Sequence, residues 1–131
     1  MGRLQKYTSN CNKYVIIEYQ VSYYSQQIQA DIMSLPATLQ ARYLSLTARM
    51  KIYGPHLGEP HTKVLGNGLL ELRLKGAEGI ARVFYCTMVG KQIVMLHSFV
   101  KKTQKIPFKE KRIAEIRMRE VKNERHHHHH H

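Results

Sequence analysis

The hydrophobic positions change period several times along the chain, and each change predicts an element. Lys13 to Val21 (K-Y-V-I-I-E-Y-Q-V) is crowded with β-branched and aromatic residues, which predicts a strand. Ser22 is a suitable N-cap for a helix running to about Ser34. In that helix Tyr24, Ile28, Ile32 and Leu35 fall at i, i+4, i+8 and i+11, one apolar stripe. Pro36 suits the first turn of a second helix, in which Leu39, Tyr43, Leu46 and Met50 recur at i, i+4, i+7 and i+11. Gly54 followed by Pro55 ends it, because Gly accepts a left-handed cap and Pro cannot continue a helix. Two consecutive amphipathic helices with so short a break predict a helical hairpin.

Period two then takes over. Pro55 to Lys63 reads as a loop, and Gly66 to Gly68 (G-N-G) as a turn. Leu69 to Lys75 alternates, with Leu70, Leu72 and Leu74 on one face and Glu71, Arg73 and Lys75 on the other. Gly76 to Gly79 closes a hairpin onto a strand from Ile80 to Val89, and Gly90-Lys91 is a tight turn. Lys91 to Phe99 is apolar at nearly every position, which predicts a central strand covered on both faces. A basic turn, Lys101 to Lys105, leads past Pro107 into a last helix reaching about Lys122, with Ile113, Ala114, Met118 and Val121 inward. The expected order is β-α-α-β-β-β-α: an α+β fold with a small antiparallel sheet packed on a helical hairpin, plus a C-terminal helix. Residues 1–125 are expected to form one domain; His126 to His131 are an expression tag.

Composition narrows the class. Hydrophobic residues make up 43% of the chain, enough for a core and too many for a disordered segment. No apolar run is long enough for a membrane helix, and the polar stretch Met1 to Lys13 has no apolar signal core. Cys11 and Cys86 are too few for a disulfide scaffold, so a reducing cytoplasm is expected. Charge changes the picture more. Twenty-one Lys and Arg face nine Asp and Glu, a formal +12. The excess gathers in the C-terminal third, where Lys91 to Arg125 holds eleven Lys or Arg against four Glu. Such self-repulsion points to a polyanionic partner, nucleic acid first and an acidic protein second.

Two constellations carry candidate chemistry. Arg73 lies opposite the leucine face of its strand, and Arg82 lies in the neighbouring strand across a short turn. On one face they would stand within about 10 Å, the spacing of cross-strand neighbours, and would hold an anion such as phosphate between them. The alternative is a separate ion pair for each, with Glu71 or Glu78 as partner. The second constellation is His97 to Lys105 (H-S-F-V-K-K-T-Q-K). There Phe99 is placed to stack on a base, while Lys101, Lys102 and Lys105 hold backbone phosphates. A histidine in an apolar strand is otherwise a satisfied core residue, and three lysines are otherwise a solvated loop. His56 and His61 with Glu59 between them lack the spacing of a metal site, and neither a CxxC nor an HExxH is present. No metal or other cofactor is expected. Asp31 is the only aspartate and sits on a helix, which leaves no Ser-His-Asp arrangement.

Three runs in order, H-L-G-E-P-H-T-K-V-L-G-N-G-L-L-E-L-R (His56 to Arg73), R-V-F-Y (Arg82 to Tyr85) and V-M-L-H-S-F-V-K-K-T-Q-K-I-P (Val94 to Pro107), are similar to one toxin family. The chain resembles the phage-derived, HigB-like branch of the RelE/ParE toxins of type II toxin–antitoxin modules, over about residues 14–120. The resemblance implies a RelE-like fold and ribosome-dependent, metal-independent endoribonuclease activity on mRNA. It implies a catalytic set of Arg73, Arg82 and Lys102, with Lys102 as acid or base and His97 or Tyr85 in reserve. Lys63, Phe99, Lys101 and Lys105 are the expected RNA contacts. A helix-turn-helix antitoxin, the 70S ribosome and mRNA are the implied partners. A gyrase poison of the ParE type and a non-catalytic nucleic-acid-binding module are the alternatives.

Overall fold

The computed structural model of the protein describes residues 18–101 and 107–128. Its elements are β1 (Gln20–Tyr23), α1 (Gln26–Met33), α2 (Ala37–Tyr53), β2 (Thr62–Gly66), β3 (Leu69–Gly76), β4 (Gly79–Met88), β5 (Gln92–Lys101) and α3 (Phe108–His128). The strands form one sheet in the order β1-β5-β4-β3-β2. The fold is α+β, as expected. The sheet is mixed rather than purely antiparallel, because β1 runs parallel to β5, with Gln20 opposite Gln92 and Tyr23 opposite Met95.

That pairing moves the first boundary. Ser22 belongs to β1, and Ser25 caps α1 by accepting from the Ile28 amide through its hydroxyl. Both serines suit a cap; pairing with β5 decides between them, since it satisfies the backbone of Ser22 in a ladder. The predicted strand before Gln20 lies largely outside the described residues. Thr62 to Gly66, expected as loop and turn, is a further strand, the edge partner of β3.

The stripe of α2 lands as its spacing requires, whereas of the first stripe only Ile28 and Ile32 are in α1; Leu35 follows the helix, and Tyr24 precedes it and donates its hydroxyl to Glu120 of α3. Ile28 and Ile32 of α1 and Leu39, Tyr43, Leu46 and Met50 of α2 are buried. They cover the face of the sheet that carries Leu70, Leu72, Leu74, Val83, Tyr85, Ile93 and Met95. Gly54 ends α2 at φ 101°, donating its N–H to the Met50 carbonyl. On the opposite face α3 packs through Ala114 and Met118 onto Leu69, Phe84, Cys86, Val94 and Leu96. From Ile93 to Leu96, β5 therefore feeds both cores and is covered on both sides. Among the described residues no helix is long and apolar enough to cross a membrane.

Gly76 shows how close the layers come. A Cβ there would lie 2.5 Å from the Thr38 hydroxyl at the start of α2. That hydroxyl and the Thr38 amide both donate to Glu78, which seats the helix N-terminus on the β3–β4 turn.

Candidate active site

The α3 side of the sheet extends past the end of its apolar core, and the charged residues collect there. Their alignment depends on an irregularity in β5. Phe84 pairs with His97 but Tyr85 pairs with Met95, so Leu96 is an extra residue in β5. Such a bulge re-aims the side chains that follow. Before it, Val94 and Leu96 face α3; after it, His97, Phe99 and Lys101 face that side.

The result is a set of rows across the sheet. Lys63, Glu71, Phe84 and His97 form one; Arg73, Arg82 and Phe99 form the next; Lys75, Ile80 and Lys101 form a third. Arg73 and Arg82 are direct cross-strand partners. They share a face and, as required of two like charges in contact, an anion. That anion is internal. Oε2 of Glu71 accepts from Arg73 Nε at 3.2 Å and also from Arg82 Nη1. Glu71 was expected on an open face or in an exposed pair; it is fully buried, and neither arginine uses Glu78. Arg82 is also buried, with 9% of its side chain exposed, while Arg73 keeps 27% in solvent. Of the two, Arg73 is therefore presented to a ligand, and Arg82 backs it from beneath.

A second carboxylate reaches the pair from outside. Glu59 Oε1 accepts from Arg73 Nη1 at 3.0 Å, with 64% of its side chain exposed. Lys101 completes the described cluster at the end of β5, inside the strand rather than in the expected basic turn. Its pKa is lowered, first by burial of the ammonium and then by the Arg82 charge; Glu71 opposes the shift and Arg73 adds to it. The ammonium thus shares the field of both arginines.

The ring of His97 stacks between Phe84 and Phe99, with centroids 6.4 and 6.3 Å away. Its Nε2 is 2.5 Å from Glu110 Oε1, and its Nδ1 is 3.3 Å from Arg117 Nη1, which also donates to the Leu96 carbonyl. The neighbours assign the proton to Nε2, donating to Glu110, with Nδ1 accepting from Arg117. Two residues of α3 thus hold both ring nitrogens. Phe99 is half-buried against Phe84, centroid to centroid 5.6 Å, and Lys63 is exposed on the edge strand. Tyr85 faces the other way: it is fully buried in the α2 core and donates its hydroxyl to the Pro55 carbonyl. Burial raises its pKa far above that of a free phenol. Lys102 and Lys105 lie outside the described residues.

The structure thus brings together Arg73, Arg82, Lys101, Phe99 and His97, with Lys63 on the adjoining strand. Of the carboxylates that organise them, the sequence reading offered only Glu71 as an arginine partner, in a separate surface pair and not as one buried anion shared by both arginines. Glu71 carries a readable signal, since it stands two residues before Arg73 on the same strand face. Glu59, Glu110 and Arg117 carry none, because each comes from another segment. Chemically, the arrangement is a fixed pair of guanidiniums, an ammonium and an open carboxylate beside a stack of rings, a set suited to a phosphodiester. The model of a protein family described as "Phage derived protein Gp49-like (DUF891)" matches residues 30–119. No curated protein matches the chain.

Proposed function

The chain belongs to the Gp49-like family of phage-derived, toxin-like proteins, and from that premise we propose that it is the toxin of a type II toxin–antitoxin module. In this reading it is a HigB-like, RelE-type endoribonuclease that cuts mRNA on the ribosome and so stops translation. The observation that carries the proposal is the Arg73–Arg82 cross-strand pair, locked on Glu71 with Lys101 alongside. A buried carboxylate that fixes two guanidiniums is costly unless their geometry has a use. Cleavage of RNA through its 2′-hydroxyl provides one, because the phosphorane it passes through carries more negative charge than the substrate.

In this scheme Arg73, supported by Arg82, meets the scissile phosphate. Lys102 is the acid or base of the proton transfers, followed by His97, whose ring nitrogens Glu110 and Arg117 already engage. Phe99 stacks on a base. Lys63, Lys101 and Lys105 hold neighbouring backbone phosphates, and each adds to affinity and salt dependence. The partners are the 70S ribosome with its mRNA and a helix-turn-helix antitoxin whose acidic groups meet the basic face.

The test is primer extension on mRNA translated in vitro with the purified protein. Codon-phased cuts that require ribosomes are the expected result. Intact mRNA together with inhibited DNA supercoiling by gyrase would replace this reading with that of a gyrase poison. Nucleic-acid binding with neither effect would leave a non-catalytic module.

A further inference from the structure

The alignment of the site depends on one extra residue, Leu96, and an extra residue in a strand is left out of the ladder pairing. A group outside the ladder therefore has to fix the chain there. We propose that Arg117 is the positioning residue of the site: it holds the β5 bulge, and with it the placement of His97, Phe99 and Lys101 beside the Arg73–Arg82 pair. That this placement serves cleavage rests on the nuclease reading above; that Arg117 enforces it does not.

The contacts converge on both sides of the bulge. Arg117 Nη1 donates to the Leu96 carbonyl at 2.9 Å, and the same nitrogen stands 3.3 Å from His97 Nδ1. A terminal guanidinium nitrogen carries two hydrogens, so one goes to the extra residue and one to the residue that follows it. The planar fork fixes the angle between these two bonds, which a freely rotating ammonium cannot do. The residue before the bulge is held as well: the Met95 carbonyl accepts from the Tyr24 amide at 2.8 Å. Tyr24 then seats Arg117. Its ring lies under the guanidinium, 4.9 Å from centroid to Cζ, and its hydroxyl donates to Glu120 Oε1 at 2.5 Å, one turn along α3. Met95, Leu96 and His97 are thus all bonded to one connected group, Tyr24 with Arg117.

Other roles for Arg117 account for less of this geometry. A phosphate ligand would present its N–H groups to solvent. Arg112 and Arg119, exposed on the same helix, suit that role, whereas Nη1 of Arg117 is turned onto backbone and ring. A strut that only docked α3 would need no bond to the imidazole, since Glu110 already ties His97 to the helix. A strut can also be replaced by apolar packing of equal length, and a positioning group cannot.

That difference is the test. Arg117→Met keeps the length of the stem and removes every donor; Arg117→Lys keeps the charge and a donor; Arg112→Met controls for charge on the same helix. The readouts are amide hydrogen exchange along β5, single-turnover cleavage on ribosomes programmed with a short mRNA, and the ribosome concentration at half-saturation. In Arg117→Met the amides from His97 to Val100 are expected to lose about tenfold in protection while those from Ile93 to Met95 keep theirs. The rate at saturation should fall about 10²-fold, the order reached when reacting groups are slightly misplaced, with half-saturation within about twofold of the wild type. Millimolar guanidinium ion, but not sodium at equal ionic strength, should restore part of that rate, and Arg117→Lys should retain part of it. Arg112→Met should move half-saturation and leave the rate unchanged. A thermal melt accompanies each variant, and Arg117→Gln takes the same readouts if Arg117→Met does not fold. Unchanged exchange after the bulge, or a wild-type rate at saturation, overturns the proposal. So does a slower rate without rescue alongside uniformly lowered protection of β5, which marks Arg117 as a strut. A wild type that does not cut on ribosomes overturns the nuclease reading, and the exchange profile then decides by itself whether Arg117 holds the bulge.

Discussion

His97 and Glu110 meet across the junction of β5 and α3, Nε2 to Oε1 at 2.5 Å, and bind the start of the helix to the end of the strand. Glu110 lies in the first turn of α3, where its charge also complements the helix dipole. Glu110→Ala removes both interactions and leaves Arg117 on the Leu96 carbonyl. The expected loss is about 1–2 kcal/mol, since the pair is partly exposed. Urea unfolding measures it. A stability equal to that of the wild type would mean that the contact contributes nothing to docking α3.

Glu71 and Arg82 should be strongly coupled. Each is buried; removing Glu71 takes from Arg82 its carboxylate, a cost of about 3–5 kcal/mol, and removing Arg82 leaves Glu71 with Arg73 alone, at 3.2 Å. Replacing both by apolar residues removes the stranded charge. The double variant Glu71→Leu/Arg82→Met should therefore lose less stability than the sum of its single variants, by about 1–3 kcal/mol. Strict additivity in a double-mutant cycle would contradict the shared-oxygen geometry.

Arg73→Ala is the cleaner probe of activity. Its side chain is more exposed than that of Arg82, and its backbone bond to His61 survives the change. The variant should fold, bind ribosomes, and cut about 10²-fold more slowly, the usual cost of one lost oxyanion-stabilising donor. Growth arrest at the wild-type level by soluble, folded Arg73→Ala would remove Arg73 from the chemistry. Arg82→Ala is not equivalent, because its effect on activity is mixed with the loss of one of the two guanidiniums that hold buried Glu71.

Lys101 sets a pH dependence whose sign is fixed. Its pKa is lowered in the folded protein, by burial first and then by Arg82, so the folded state binds this proton less tightly than the unfolded chain does. The lysine therefore costs stability while it is charged. The cost is present below the folded pKa and fades as pH rises toward the unfolded lysine value. Lys101→Gln should accordingly be more stable than the wild type at neutral pH and low salt. The gap should narrow with added salt and with rising pH. Thermal melts across that grid test it; a destabilised variant at low salt would reverse the sign.

Much of the fold was legible because its periods are strong. The β3 leucines and the α2 stripe Leu39, Tyr43, Leu46 and Met50 could lie only on one side of their elements. The Gly76–Gly79 turn made a common face for Arg73 and Arg82 readable. The pairing of β1 with β5 was not readable, since a parallel partner comes from a distant segment and leaves no local mark. Nor was the burial of Glu71: alternation says which side a residue faces, not whether a later helix covers that side. Simple alternation along β5 would have grouped His97 and Phe99 with Met95, because an extra residue in a strand has no signature in composition.

That extra residue makes β5 a strand of two parities. Through Leu96 the even-numbered positions look toward α3; from His97 onward the odd-numbered ones do. Substitution can exchange any one side chain in this stretch without displacing the rest. Gain or loss of a single residue after Leu96 instead transposes the whole column, sending His97, Phe99 and Lys101 to the helical-hairpin side and Ser98 and Val100 into their places. The quantity a working descendant must inherit here is a count, conserved modulo two, more than any one letter of the strand.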